Sequence, residues 1–412
     1  MRLRVTTFYK IVIYFLTFIN SGFFFIQQIK EFDVILTCFL TILLMIVYIY
    51  KHYQSKQYFY GKETRNYIFG IFVFLTLELM RTFVSPSFER PSIKFSIMLI
   101  ISFTELLLAF PIMEILIKDH MMTFIRNVVF IDFMATLFRF FIWFLYNYKG
   151  ITLFSSIFNE RGIDWSRNGV VRLAATPLNG LTYVTFVYLL LFSKRGSMKL
   201  FGVLGLTISF LYSWLVYNSR SQIICYSVVL FFSYVISISQ SKKTAINKLF
   251  LLSPLIIIAF IGLNYIKIFF NTFSVTGEMG YSTIARVNEF LLFYKSFSSS
   301  LIEILFGMGI SSDLHTIGIV SYYLSDLGML GFLFNYGVVG LVLFFGRFFM
   351  KLFNYLHLKI ISDNRIYLIP VGLILYTLLS SIFSQDMFDP VRLYITPFIL
   401  ALIEKIDYSL KT

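Results

Sequence analysis

Charged side chains are scarce in this sequence, at 14% of 412 residues, whereas a soluble domain of ordinary composition carries roughly 25%. Cysteine is scarcer still: Cys38 and Cys225 both fall inside apolar runs, so we expect neither a disulfide framework nor a metal site. Gly-rich phosphate loops, HExxH pairs and Ser/His/Asp arrangements are absent as well. These absences exclude an ordinary soluble domain, and we predict no metal and no cofactor.

Long apolar runs make up most of the chain instead. Hydrophobic residues are 58% of it, and runs of about 17 residues or more, enough to cross a bilayer core, recur along it. These runs are too long for the strands of a membrane β-barrel and lack their alternation. We predict an all-α, polytopic membrane protein that forms a single transmembrane domain over residues 1–412. About twelve spans are predicted, at 8–26, 34–50, 66–84, 95–117, 124–147, 173–193, 200–218, 222–239, 249–270, 329–346, 366–383 and 392–407.

The basic residues indicate how these spans are oriented. Most of the 35 Lys and Arg residues fall on the side that holds both chain ends, and the positive-inside rule assigns that side to the cytoplasm. The net charge of +14 is explained by this topology and by anionic lipid, so we predict no nucleic-acid partner. Two external loops are long, at 148–172 and, between the ninth and tenth spans, at 271–328.

The long external loop carries the candidate catalytic group. Its segment 282–304 has helical spacing with Ser282 at the N-cap position, and a second helical piece is predicted from about Thr316 into the next span. His315 lies in a polar turn between them and is the one histidine of four that faces outward. An imidazole can act as a general base near neutral pH. A solvated loop histidine is the alternative interpretation.

Three arginines, Arg172, Arg220 and Arg286, are predicted to face the same side as His315. One arginine at a membrane edge is typical of an anchor that reaches the headgroups. Three of them beside the outward histidine favour a shared anionic ligand, because a guanidinium group binds phosphate through paired donors.

Several charged residues lie within predicted spans, where an unpaired charge is costly. We interpret them as buried pairs that hold the helix bundle together, with a proton or ion pathway as the alternative. The set comprises Glu78 and Arg81, which are expected to form an ion pair, Asp132 and Arg139 on one helix face, and Glu105 and Glu114.

Three stretches occur in a characteristic order on the external side. RNGVVRLAATPLNGLTYV (167–184) has an Arg and then a Pro/Asn turn into a span, and YNSRSQIICYSVVLFF (217–232) has a Ser-Arg-Ser turn before a span. Residues 285–345 have an Arg, a Gly-x-Gly, an external His and a Gly-rich start to the next span. Together they resemble the O-antigen and capsular polysaccharide polymerases (Wzy), relatives of the O-antigen ligases. Thr316 follows His315 where ligase-like relatives often have Asn, which favours a polymerase.

The resemblance implies a GT-C-like membrane glycosyltransferase that needs neither nucleotide sugar nor metal. It would join repeat units carried on undecaprenyl pyrophosphate, at the outer face of a bacterial cytoplasmic membrane, with a flippase and a chain-length regulator as further partners. Arg172, Arg220 and Arg286 would bind the pyrophosphate, and His315 would act as base, with Arg286 beside it in the catalytic site. Sugar contacts are expected from Asp313, Asp386 and Asp389.

Three other functions remain open from the sequence. A lipid-linked oligosaccharide flippase also commonly has about twelve spans, but its basic ligand-binding residues are expected in a central cavity within the spans. An O-antigen ligase shares the resemblance described above. A membrane acyltransferase acting on sugars also needs a membrane histidine, although the chain has no cytoplasmic motif for an acyl-CoA donor.

Overall fold

The chain is almost entirely helical. A computed structural model describes residues 5–22, 30–55, 61–84, 92–153, 166–167, 169–239, 280–310, 314–317, 320–358, 360–384, 387–388 and 392–411. The first helices are α1 (Val5–Asn20), α2 (Lys30–Ser55), α3 (Lys62–Val84), α4 (Ile93–Phe103), α5 (Ala109–Lys118) and α6 (Met121–Lys149), with a 3₁₀ turn, Thr104–Leu108, joining α4 to α5.

The second half of the chain adds two short hairpins between its helices. Its helices are α7 (Asn179–Phe192), α8 (Gly196–Leu211, continued by a π turn, Tyr212–Val216), α9 (Arg220–Ser239), α10 (Gly280–Phe297), α11 (Leu301–Phe306), α12 (Met329–His357), α13 (Ile360–Asp363), α14 (Leu368–Phe383) and α15 (Thr396–Lys411). The antiparallel strands are β1 (Ser166–Arg167) with β2 (Val170–Val171), and β3 (Leu314–Ile317) with β4 (Val320–Tyr323).

The helices make this a multi-pass membrane protein. Among the described residues, eight helices are long and apolar enough to cross a membrane, and the apolar α1 and α7 are shorter. The predicted span 249–270 lies outside the described residues, so the total of twelve stays a prediction. The eight helices are Asp33–Gln54, Lys62–Val84, Ile93–Lys118, Met121–Lys149, Gly196–Val216, Arg220–Ile238, Met329–His357 and Arg365–Phe383.

The span predicted at 173–193 is wrong at its start, since the helix begins only at Asn179. Pro177 has no backbone N–H and disfavours helical backbone at the residue before it. Residues 172–178 therefore form a non-helical segment, most of it buried or half-buried. Non-helical backbone inside a membrane protein needs partners for its polar groups, and here neighbouring helices supply them.

The prediction for the long external loop is wrong in two places. The helix expected over 282–304 begins at Gly280 and ends at Phe297, so Ser282 is not its N-cap, and residues 298–300 separate it from α11. The polar turn at His315 and the helix expected from Thr316 are replaced by the β3–β4 hairpin. Its β-branched residues explain the difference, because they favour strand over helix.

Buried ion pairs join the helices at several levels of the bundle. The predicted pair of Glu78 and Arg81 is confirmed, with 2.8 Å between Oε2 and a guanidinium nitrogen. Glu114 is fully buried and pairs with Lys51 of α2 and with Lys118, which follows it by one turn. For these residues the pairing fits the interpretation as bundle contacts, since a buried charge is tolerated when it is compensated. Glu105, which was included in the same interpretation, has no hydrogen bond or ion pair within the described residues.

Candidate functional site

Arg172 follows directly on a hairpin residue that α6 holds in place. The side-chain amide of Asn147 accepts a hydrogen bond from the backbone N–H of Val171 (2.9 Å) and donates one to its carbonyl (3.2 Å). The indole N–H of Trp143 donates to the same carbonyl (2.8 Å). Both backbone groups of the residue before Arg172 are thus bound, which fixes the start of the Arg172 side chain.

The non-helical segment after this hairpin is held by a buried polar network. The carbonyl of Ala174 accepts hydrogen bonds from Arg139 of α6 (2.7 Å) and from the Tyr212 hydroxyl (2.8 Å). The Thr176 hydroxyl donates to Oδ2 of Asp132 (3.0 Å). Arg139 and Asp132, which the sequence placed on one helix face, therefore act together by anchoring the same segment.

Two arginines from distant parts of the sequence converge on Tyr217. Arg172 Nε donates to the Tyr217 carbonyl (2.9 Å), and a guanidinium nitrogen of Arg392 donates to the Tyr217 hydroxyl (3.0 Å). Their guanidinium carbons lie 6.0 and 5.9 Å from the centre of the Tyr217 ring. Arg392 is also close enough to the buried Arg139 for the two charges to interact. Several positive charges therefore share one end of the bundle.

The turn that carries Tyr217 also carries Arg220. A π turn ends α8 with a bond from Tyr217 N–H to the Tyr212 carbonyl (2.8 Å), and π turns occur frequently at functional sites. Asn218 then adopts a positive φ of 49°, and Arg220 begins α9. We call Arg172, Arg220 and Arg392 the arginine cluster. The sequence has no acidic residue between Asp164 and Glu278, so neither the Arg172 segment nor the Arg220 turn brings its own countercharge.

Arg286 lies in a second unit, on α10. This helix packs through Phe293 and Phe297 against Phe334 of α12, with ring centroids 6.3 and 5.3 Å apart. Its Ile284 face, by contrast, is exposed. Arg286 is half-buried, and within the described residues its Nε has no hydrogen-bond partner.

Gly307 and Gly309, the Gly-x-Gly of residues 285–345, lie beside a break in α12. Gly337 is non-helical, with φ 66° and ψ −174°, and a Cβ there would collide with the backbone of Leu305 and Gly307. Beside the break, Met308 N–H donates to the Phe334 carbonyl (2.7 Å). Glycine is required at position 337 because the two segments approach backbone to backbone there and φ is positive. Arg81 secures the same place by donating to the Gly307 carbonyl (2.7 Å).

His315 lies in β3, where its backbone is opposite Tyr322 of β4. The structure therefore places His315 and Arg286 in one part of the fold, since β4 and the following 3₁₀ turn, Leu324–Leu327, pack against α10. Asp313, Asp386 and Asp389 lie outside the described residues, and their predicted sugar contacts stay predictions. Of the predicted arginines, the structure brings Arg172 and Arg220 to one turn and assigns Arg286 to the second unit.

Sequence reasoning missed Arg392 and Tyr217. Arg392 is the first residue of the span predicted at 392–407, at its external end, where an arginine is ordinarily an anchor. Its partner Tyr217 is one of 27 tyrosines, so nothing in the pattern singled out the pair. The usable signal was position, because both residues lie at the external ends of predicted spans.

No protein-family model matches this chain, and no curated protein matches it significantly. Within the described residues, no group of three His, Cys, Asp or Glu side chains is arranged to hold a metal ion. The arginine cluster can bind an anion through charge-assisted hydrogen bonds, and guanidinium groups suit the geometry of phosphate.

Proposed function

We propose that this protein is a polysaccharide polymerase that joins lipid-linked repeat units at the outer face of the cytoplasmic membrane. The observation that carries the proposal is the convergence of Arg172 and Arg392 on Tyr217. Two guanidinium groups brought together from distant parts of the chain form a site for a doubly charged group such as a pyrophosphate. The order of the external Arg and His motifs supports the same proposal.

The proposed reaction needs a group that stabilises the departing pyrophosphate and a group that accepts a proton. An acceptor-sugar hydroxyl oxygen attacks the anomeric carbon of the donor sugar while the bond from that carbon to the pyrophosphate breaks. Arg172, Arg392 and Arg220 stabilise the charge that develops on the undecaprenyl pyrophosphate as it leaves. His315 takes the proton from the attacking hydroxyl, and Arg286 binds the donor beside it.

Positioning in this proposal depends on the buried network below the cluster. Arg139 and Tyr212 both hold the Ala174 carbonyl, so the backbone that leads out of Arg172 is fixed before substrate binds. Preorganised donors contribute more to a developing charge than donors that must reorganise during the reaction. The network therefore links the fold to the proposed chemistry.

The test is complementation of a strain that lacks the gene, with the surface polysaccharide resolved on a gel. His315→Ala, Arg286→Ala, Arg172→Ala and Arg392→Ala are each expected to replace long chains with single repeat units. Removing one preorganised donor typically lowers a rate by about 10²–10³-fold, which is enough to abolish long chains. Arg195→Ala is the matched control, because Arg195 is an exposed arginine at the start of α8, far from the cluster.

The possible outcomes separate the competing functions. Normal chain lengths in all four variants would refute the site. Lipid-linked units retained on the cytoplasmic face would indicate a flippase, whereas long chains left on the polyprenyl carrier would indicate a ligase. Each variant must be present in the membrane fraction at the wild-type level, so that a loss of chain length reports on the site and not on expression.

A further inference from the structure

A cleft of about 290 Å³ opens between α6 and α8, lined by residues from the first three turns of α6 and the first two turns of α8. Farther along, both helices reach the arginine cluster, where Arg139 and Tyr212 bind the same carbonyl. Arg126 of the cleft precedes Arg139 on one helix, and at 1.5 Å per residue the two are roughly 20 Å apart along the axis. The cleft thus lies toward the opposite end of the bundle from the proposed active site.

The lining of the cleft is polar toward the starts of the two helices and apolar farther along them. Its polar lining residues are Arg126, Asn127 and Ser197, and its apolar lining residues are Phe130, Met198 and Phe201. The Phe130 side chain is 53% exposed on a helix that is long and apolar enough to span the membrane. Phe130, at the apolar part of the lining, therefore belongs to the surface that faces lipid, while the polar residues lie nearer the helix starts.

The charge around the cleft is positive. Within the described residues, the Arg126 guanidinium has neither a hydrogen bond nor an ion pair. Exposed Lys194, Arg195 and Lys199 follow in the segment where α8 begins. The stretches that form the cleft contain no acidic residue, since α6 has none before Asp132 and the α8 region has none at all.

We propose that this cleft binds the phosphate of an anionic phospholipid, with Arg126 as the principal donor. Basic pockets between membrane helices on the cytoplasmic side are suited to anionic headgroups, and the leaflet there is itself anionic. A guanidinium group forms charge-assisted hydrogen bonds with phosphate oxygens. The Ser197 hydroxyl adds a neutral donor, as does the second N–H of the Asn127 amide, whose nitrogen already donates one hydrogen bond to the Tyr14 hydroxyl (3.2 Å). A lipid is favoured over free phosphate because the apolar lining residues, which include the exposed Phe130, can then contact an acyl chain.

The experiment is a lipid titration of the purified full-length protein in detergent, followed by native mass spectrometry. Phosphatidylglycerol is the probe, and phosphatidylcholine is the comparison without net charge. We expect Arg126→Ala to weaken phosphatidylglycerol binding by about tenfold, the effect of losing one hydrogen bond to a charged group. Arg126→Lys should retain part of the affinity, because lysine binds phosphate as a point charge without the paired donors.

Arg195→Ala is the control, because it removes one positive charge from the same end of the bundle without altering the cleft lining. Equal losses in Arg195→Ala and Arg126→Ala would overturn the proposal, since they would indicate diffuse attraction to a positive surface. Unchanged binding in Arg126→Ala would overturn it directly. Displacement of phosphatidylglycerol by an equal concentration of inorganic phosphate would show that the occupant is the free ion. An unfolding midpoint equal to that of the wild type shows that Arg126→Ala is folded.

Discussion

Replacing Asp132 with alanine tests whether the buried network holds the Arg172 segment. The Asp132 carboxylate accepts hydrogen bonds from Ser21 of the α1 end (3.3 Å), Thr176 (3.0 Å) and Thr182 (2.6 Å). It therefore joins α1, the non-helical segment and α7 to α6. Arg139, also buried, donates to the Ser21 carbonyl (2.9 Å), so Ser21 links the two charged residues.

The loss of unfolding free energy in Asp132→Ala shows whether Asp132 acts only through hydrogen bonds or also as a countercharge. Neutral hydrogen bonds between membrane helices contribute about 0.6 kcal/mol each, so three of them account for a loss of about 2 kcal/mol. Asp132 also offsets the charge of the buried Arg139 through an electrostatic interaction. Removing a buried countercharge costs up to about 3–5 kcal/mol, because the charge that remains is then not compensated. We expect Asp132→Ala to fall in the second range. Asp132→Asn should cost less, because one oxygen still accepts a hydrogen bond.

Thermal unfolding in detergent is measured with a thiol-reactive fluorophore. Cys225 is 1% exposed and reacts only when the bundle opens, while the half-buried Cys38 is replaced by serine in every variant. The control is Asp119→Ala, which removes the partly exposed ion pair with Lys10 and is expected to cost at most about 1 kcal/mol. An Asp132→Ala midpoint equal to that of Asp119→Ala would refute the reasoning.

Three further substitutions are measured in the same assay. Glu105→Leu should raise the unfolding midpoint, because Glu105 is only 4% exposed. Within the described residues it has no hydrogen bond or ion pair that leucine would break. A lower midpoint would contradict this expectation. Gly337→Ala should lower the free energy of unfolding by at least about 1 kcal/mol, since its φ is 66° and a Cβ would collide with the facing backbone. The control Gly196→Ala should not destabilise the protein, because the space around Gly196 is open. Arg347→Ala should cost about 3–5 kcal/mol because it leaves the buried Glu404 without its 2.9 Å partner; a loss below 1 kcal/mol would show that this pair is solvated.

Part of the fold was predictable because local rules decide it. Apolar length alone identified spans such as those at 66–84 and 366–383, since a bilayer leaves the backbone few alternatives to a helix. The Glu78–Arg81 pair followed from helical spacing of three residues. A helix around Arg286 was also predictable from its periodicity, although its ends were not, because helix ends depend on local capping and on what packs beyond them.

The candidate site was predictable only in part. Arg172 and Arg220 were identified by their external position, because the distribution of Lys and Arg among the loops predicts on which side of the membrane each turn lies. Arg392 and Tyr217 were missed, since they meet across 175 positions of sequence and a contact of that kind has no local signature. The hairpin at His315 was missed because two strands of four residues each, on either side of a turn, are too short to outweigh the expectation of a helix leading into a span.

The sequence by itself determined the class of this protein: a chain so poor in charge and so rich in long apolar runs must form membrane-spanning helices. It also determined where charge is available, including the long acid-free stretch from residue 165 to residue 277. Only the tertiary structure decided which arginines meet, because convergence on Tyr217 requires helices distant in sequence to pack side by side. The tertiary structure also decided that residues 172–178 are not helical. Side chains of α6 and of the π turn after α8 bind backbone groups of this segment that would otherwise lack hydrogen-bond partners.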